Sequence, residues 1–326
     1  FSKKVMRSLQ DLHELLEEEM KKINFPADPE NLYSPIKYVL NIGGKRMRPI
    51  LTLMAHQLFN SDINKSMKAA IAIEIFHNFT LLHDDIMDDA PLRRGMKTVH
   101  EVWDKNTAIL SGDTMLVQCY DLLLSIEDCH LREVLDVFNK AAKEVCEGQQ
   151  WDMDFETRED VSILEYLRMI EYKTAVLLAT SLKIGAINGG ATKEESHDIY
   201  EFGKNMGIAF QLKDDLLDAF GNPGNFGKQV GGDIISNKKT YLYLKALEVA
   251  DETQKTELIS CFSNDTDTKR KIETVKNIFS NLDVQSYTIS LMKHYHRKAL
   301  IHLDAINSEN KTPLYSFSEL LLDRIS

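Results

Sequence analysis

At 326 residues the chain is long enough for one large domain or two ordinary ones, and its 43% hydrophobic content can supply a substantial core. Fifty acidic residues against 39 basic ones leave a formal charge of -11, which argues against a general nucleic-acid binder, because neutralising many phosphates takes a basic excess. No apolar run approaches the roughly 18 residues of a membrane span, and the segment from Phe1 to Met20 is charged and amphipathic rather than signal-like. Cys119, Cys129, Cys146 and Cys261 are too scattered for a CxxC pair or a disulfide framework. A cytoplasmic protein with reduced thiols and no stable membrane insertion is expected.

Helical periodicity dominates the chain. Val5, Leu9, Leu12, Leu16, Met20 and Ile23 recur at three- and four-residue steps, predicting an amphipathic first helix that Pro26 and Pro29 end. Ser34-Pro35 reads as an N-cap followed by a first-turn proline, opening a helix that runs to Gly43-Gly44, and another begins near Pro49. Between Pro91 and Pro223 there is no proline and little turn chemistry apart from Gly189-Gly190, so long helices should fill the interval. No convincing alternating strand appears. The segment from Gly221 to Gly232 is the clearest loop, with lesser polar connections at Ser263 to Thr268 and Asn307 to Thr312. These readings predict an all-α single domain over 1–326, an antiparallel bundle of about ten helices.

Two acidic clusters, Asp84-Asp85-Ile86-Met87-Asp88 and Asp214-Asp215-Leu216-Leu217-Asp218, share the spacing DDxxD with more than a third of the chain between them. Asp is a poor helix former and is rarely buried unpaired, so both clusters call for compensating charge. On a helix Asp84 and Asp88 project together with Asp85 beside them, while Gln211, Asp214, Asp215 and Asp218 form a stripe at i, i+3, i+4 and i+7. Hard oxygen ligands without Cys or His point to Mg²⁺, which uses one or two carboxylates together with waters and substrate phosphates. A diphosphate is thereby implied.

Basic residues flank both clusters. Arg93 and Arg94 follow the first one across Pro91, and Lys45, Arg46 and Arg48 gather at a helix start, where backbone N–H groups also favour anions. Lys173-Thr174 interrupts the apolar run MIEYKTAVLLATSL, and Lys228, Lys238 and Lys239 lie in or just beyond the glycine-rich loop. His77 stands seven residues before Asp84 and eleven before Asp88, on the same helix face.

With GGKRMRP, HNFTLLHDDIMDDAPLRRG, Thr98 to His100, Ile109 to Asp113, EGQQWD at Glu147 to Asp152, Lys173-Thr174, FQLKDDLLD and GKQVGGD in this order, the chain resembles the trans-isoprenyl diphosphate synthases (polyprenyl synthetases) over nearly its full length. The resemblance implies an isoprenoid-synthase-type all-α fold around a central cavity, usually as a homodimer. It also implies head-to-tail condensation of isopentenyl diphosphate with an allylic diphosphate. Residue by residue, it assigns Lys45, Arg48, His77 and Arg94 to isopentenyl diphosphate. Arg93, Lys173, Thr174, Gln211, Lys228 and Lys238 fall to the allylic diphosphate, with the KKT sequence leaving Lys238 and Lys239 as alternative registers. Asp84, Asp85, Asp88 and Asp214, with Asp215 and Asp218, are implied to carry three Mg²⁺ ions.

Phe79 and Thr80 lie five and four residues before Asp84, and Phe76 lies eight before it. An aromatic followed by a small residue at the first two positions resembles short-chain synthases, with geranylgeranyl diphosphate favoured over farnesyl diphosphate as product. The growing tail is expected to run into the bundle alongside the helix bearing His77 to Asp88, with Phe79 as the bulky floor that stops it and Phe76 adding to that floor. A class I terpene cyclase and a non-catalytic synthase subunit are the more distant alternatives. Cyclases generally lack a GGKRMRP-like anchor, and both acidic motifs and both arginines are intact here.

Overall fold

The computed structural model describes residues 7–221, 231–263 and 267–322. Helix α1 (Leu9–Lys21) opens on a capping box, in which Ser8 accepts from the Asp11 backbone while the Asp11 carboxylate accepts from that of Ser8, and it buries Leu12 and Leu16 on one face. Helix α2 (Glu30–Asn41) starts a turn earlier than Ser34-Pro35 suggests. Pro35 lies inside it, where its missing N–H costs a single helical bond close to the amino-terminal end. Helix α3 (Met47–Gln57) holds Pro49 in its first turn, as expected.

Helix α4 (Asn64–Met87) is buried along most of its length from Ala69 to Phe79, and α6 (Lys105–Leu123) packs against it. Between them lie one short hairpin, β1 (Leu92–Arg93) and β2 (Met96–Lys97), and the single turn α5 (Val99–Val102). Sequence alternation gave no sign of this hairpin, since strands of two residues are too short to alternate. Its turn residues Arg94 and Gly95 both have positive φ, 54° and 78°, as a two-residue type I′ connection requires.

The remaining helices are α7 (Asp128–Thr157), α8 (Ile163–Ile170), a π turn (Glu171–Ala175), α9 (Val176–Gly189), α10 (Lys193–Phe220), α11 (Gly232–Ile235), α12 (Tyr241–Val249), α13 (Glu252–Ser263), α14 (Thr268–Asn281), α15 (Val284–Ala305) and α16 (Thr312–Leu322). The all-α class is therefore as expected, with more helices than the ten or so anticipated. Short pieces such as α5, α8 and α11 account for part of the excess. Among the described residues no helix is long and apolar enough to cross a membrane.

The chain folds as two compact units, one built from the residues up to Lys140 with Thr180–Tyr200 and Ile306–Leu314, the other from Ala141–Ala179, Glu201–Ala305 and the residues from Tyr315 on. In the second unit α12 packs on α8, α14 and α15, and its core joins Phe155, Tyr166, Leu212, Leu216, Leu242 and Phe279.

The first unit is pinned by a buried ion pair. Arg46, in the left-handed region at φ 48° just before α3, donates to Glu74 Oε1 (2.7 Å), Glu17 Oε1 (2.9 Å) and the Leu40 carbonyl (2.8 Å). Both Arg46 and Glu74 are buried. Arg46 is thus a strut between α1, α2 and α4, and its guanidinium is turned away from the anion-binding role that its place in the basic group suggested. Removing one partner of such a pair leaves an uncompensated charge, so Glu74→Ala is expected to lower the unfolding free energy by about 3 kcal/mol, to be measured by urea denaturation.

Candidate active site

In the first unit a group of the predicted residues gathers at the carboxyl end of α4, the hairpin and the start of α3. Asp84 is partly buried, Asp85 buried, and Asp88 exposed where it caps the helix with its N–H bonded to the Asp84 carbonyl. The hairpin turns Arg93 back onto them. Its Nε and Nη2 donate to Asp85 Oδ1 at 2.9 and 2.5 Å, and Nη2 lies 3.4 Å from Asp84 Oδ2. Burial raises the Asp85 carboxyl above its ordinary range, and the Arg93 bonds oppose that rise.

Arg94 goes the other way, onto the GGKRMRP segment. A Cβ on Gly44 would stand 2.5 Å from Arg94 Nη1, so glycine is what lets the guanidinium lie flat against that backbone. Arg48 Nη1 is 3.1 Å from His77 Nε2. Burial first, and then the positive charges of Arg48, Arg94, Arg93 and Arg46, push the His77 imidazole well below its ordinary value. A neutral His77 therefore accepts from Arg48 through Nε2. Three of the four residues assigned to isopentenyl diphosphate, Arg48, His77 and Arg94, share this neighbourhood, while Lys45 is exposed beside Gly44.

Phe76 and Phe79 are buried, with ring centroids 5.6 Å apart, and Phe76 packs edge-on to Phe138 at 5.1 Å. Thr80 is half-buried and returns its hydroxyl to the His77 carbonyl at 2.8 Å.

The second unit holds a cavity lined by residues that include Asp152, Tyr166, Lys173, Thr174, Gln211, Asp215, Asp233, Lys238 and Lys239. Lys173 and Thr174 sit on the π turn, a distortion that no residue pattern announced and that recurs at functional sites. Two glycines let neighbouring helices close on that turn. A Cβ on Gly148 of α7 would meet Lys173 N at 2.3 Å, and one on Gly207 of α10 would meet Ala175 Cα at 2.5 Å.

Within the cavity Lys173 Nζ donates to Asp152 Oδ2 at 2.5 Å, and Lys238 Nζ stands 4.0 Å from the same oxygen. Thr174 Oγ1 donates to Gln211 Oε1 (3.1 Å), Gln211 Nε2 to Asp215 Oδ1 (3.0 Å), and the Tyr166 hydroxyl to Asp215 Oδ2. Burial and the charge of Asp233 push Asp215 above the usual carboxylate range, and the bonds from Tyr166 and Gln211 draw it back. Asp214 is exposed on the same helix, while Asp218 accepts from the Asp233 backbone at 2.9 Å.

Lys228 lies outside the described residues. Both lysines of KKT line the cavity, and Lys239 Nζ donates to the carbonyls of Phe155 (2.8 Å) and Glu156 (3.1 Å), closing the last turn of α7. Asp152, Tyr166 and Asp233 were given no role in the sequence reading. Asp152 ends EGQQWD and Asp233 ends GKQVGGD, so two of the three stood in recognised motifs. Tyr166 had no signal beyond an aromatic on an apolar helix.

Residues 29–279 match the polyprenyl synthetase family model. The geranylgeranyl diphosphate synthase of Methanosarcina mazei is 43% identical over 222 residues, 68% of each chain, and the geranylgeranyl pyrophosphate synthase of Geoglobus acetivorans is 36% identical over 321 residues, 97% of this chain and 98% of its own. A crystal structure of geranylgeranyl pyrophosphate synthase superposes with a TM-score of 0.94 at 46% identity, covering 98% of this chain and all of that one. The chain belongs to the polyprenyl synthetase family. Its activity is that of a trans-prenyltransferase.

If Lys239 serves the α7 end and Lys238 the cavity, Lys239→Met is expected to cost about 1 kcal/mol of stability, the net worth of an ordinary hydrogen bond, with little change in KM. Lys238→Met should instead raise the KM for the allylic substrate. Denaturation and steady-state kinetics on the two variants separate these outcomes.

Proposed function

We propose that this protein is a short-chain trans-prenyltransferase that condenses isopentenyl diphosphate with allylic diphosphates and makes geranylgeranyl diphosphate. The observation that carries the reading is the pairing of two separate anion-binding groups with two DDxxD motifs in a chain whose relatives are named for that product. One group is Lys45, Arg48, His77 and Arg94, for isopentenyl diphosphate. The other is Arg93, Lys173, Lys238, Thr174 and Gln211, with Lys228, for the allylic diphosphate. Two anchors for two diphosphates distinguish a condensing enzyme from a cyclase.

The acidic motifs fit Mg²⁺. Their donors are all carboxylate oxygens, and Asp84, Asp88, Asp214 and Asp218 keep some exposure, which suits an ion that shares one or two carboxylates with waters and phosphate. Enzymes of the family use Mg²⁺, and three ions are proposed here, held by those four residues, the first and last of each motif. Asp85 and Asp215, also candidates by sequence, have oxygens taken by Arg93, and by Tyr166 and Gln211. When bound, the ions supply charge stabilisation to the departing diphosphate.

The chain's own residues do the rest. Arg93, Lys173 and Lys238 meet negative charge as it develops on the leaving group. Arg48 and Arg94, with neutral His77 accepting from Arg48, hold isopentenyl diphosphate so that its double bond is presented to the allylic carbon. Apolar walls such as Phe76 and Phe79 keep water from the cation. No dedicated base stands out, so the released diphosphate is the proposed acceptor of the final proton.

A homodimer forms part of the proposal. Leu110, Val117 and Leu124, seven residues apart along α6 and just beyond it, are large, apolar and exposed, as a face awaiting a second copy would be. A cytoplasmic setting accords with Cys119, Cys129, Cys146 and Cys261 remaining free thiols.

Incubation with Mg²⁺, labelled isopentenyl diphosphate and dimethylallyl, geranyl or farnesyl diphosphate should yield a product of twenty carbons, sized by chromatography; a fifteen-carbon product would favour the farnesyl alternative. Asp84→Ala is expected to lower kcat by about a hundredfold or more, as loss of a charge-stabilising group does, with circular dichroism unchanged. Phe79→Ala should lengthen the product by one isoprene unit or more, because a helical turn of about 5.4 Å approximates one such unit; an unchanged product would refute the floor.

A further inference from the structure

We propose that Tyr166 is a positioning residue for the allylic half-site, acting through Asp215 on Gln211 and Thr174. The inference rests on the function proposed above and assigns a role to a residue and a chain of bonds that it leaves unused. Tyr166 is 2% exposed, and among the largest fully enclosed side chains. A buried phenol needs an acceptor, and Asp215, 4% exposed, provides one at Oδ2. The other oxygen of Asp215 takes the Gln211 amide at 3.0 Å, and the Gln211 carbonyl takes the Thr174 hydroxyl at 3.1 Å. Four side chains from α8, the π turn and α10 thus form one line of hydrogen bonds ending in the cavity.

The direction of that line matters. Gln211 turns its NH₂ to Asp215 and its oxygen to Thr174, so the bond to Asp215 fixes which way round the amide lies. Thr174 then gives its single proton to Gln211. Two side chains assigned to the allylic half-site are thereby held in one orientation, and an orientation that matters to the ionising substrate is read in kcat more than in KM. Without the Tyr166 hydroxyl, a buried carboxylate loses one of its two donors and the amide it orients is held on one side only.

The line also separates the two adjacent aspartates of the second motif. Asp214 is exposed, whereas both oxygens of Asp215 are engaged by protein donors. Asp215 acts on the substrate through Gln211, not through an ion.

Tyr166→Phe, which removes one oxygen and nothing else, is expected to lower kcat about tenfold, the equivalent of one hydrogen bond of ordinary net strength, with the KM for isopentenyl diphosphate unchanged. Asp215→Asn should lose at least as much, because the new NH₂ forces either Gln211 to turn over or Tyr166 to give up its acceptor. The double variant Gln211→Glu with Asp215→Asn restores every direction in the line: the amide introduced at position 215 accepts from Tyr166 and donates to the carboxylate introduced at position 211, which also accepts from Thr174. Recovery of most of the lost kcat in the double variant is the expected result. If Asp215 were an ion ligand, the second change would not rescue the first; if it were merely structural, the single variants would lose thermal stability without the split between kcat and KM. Thermal unfolding of each variant shows whether it is folded, and the rescue pair keeps the test open should Tyr166→Phe fold poorly. Wild-type kcat in Tyr166→Phe, or no rescue, overturns the proposal. Absence of prenyl transfer by the unmodified protein would instead overturn the function on which it rests.

Discussion

A carboxylate buried at the second position of each acidic motif is the constraint around which each of the two clusters is arranged. Asp85 and Asp215 are each 4% exposed, and neither tolerates that burial without donors. For Asp85 the donor is Arg93, which the hairpin must fold back to deliver; for Asp215 they are Tyr166, which ties α8 to α10, and Gln211 one turn earlier on α10 itself. The neighbouring aspartates are left nearer to solvent as a result. A sequence repeat of apparently equivalent carboxylates thus differs in burial along its length, with the second position the buried one in both copies.

Much of this was legible before any coordinates. Alternating charge and apolarity on helical spacing gave the all-α class, and the ordered motifs gave the family and most cavity residues. The misreadings have physical causes. Ser34-Pro35 has the chemistry of a helix start, yet Glu30 begins the helix because a proline one turn inside an end sacrifices only one bond. Arg46 sits among anion-binding residues in the sequence, but its left-handed backbone sends the guanidinium to Glu74 and Glu17, a partnership across 28 and 29 positions that local pattern cannot show. Tyr166 carries no motif, and the partner of its buried hydroxyl lies 49 residues away, beyond the reach of any local pattern.

Glycine explains how the cavity wall is assembled. Gly148 and Gly207 stand on different helices and approach the same short segment more closely than any side chain would allow. The glycine of EGQQWD is thus a spacing element for the backbone of Lys173, and the motif's terminal Asp152 is the carboxylate that meets the same lysine's ammonium group. One motif reaches one residue at both ends.

The π turn at Glu171–Ala175 bears on how such a site can be revised. It is a helix carrying one residue more than its turn requires, and each residue in a helix advances the face by about 100°. The face on which Tyr166 lies and the face of α9 beyond Ala175 are therefore not in a common helical phase, and Lys173 and Thr174 occupy the place where the phase changes. Chain length at this point, together with the identity of the residues, sets which side chains of this one segment, Tyr166, Lys173 and Thr174 among them, look into the cavity. A gain or loss of one residue there would turn Lys173 and Thr174 relative to Tyr166 while leaving Asp152, Gln211 and Asp215, supplied by α7 and α10, where they are.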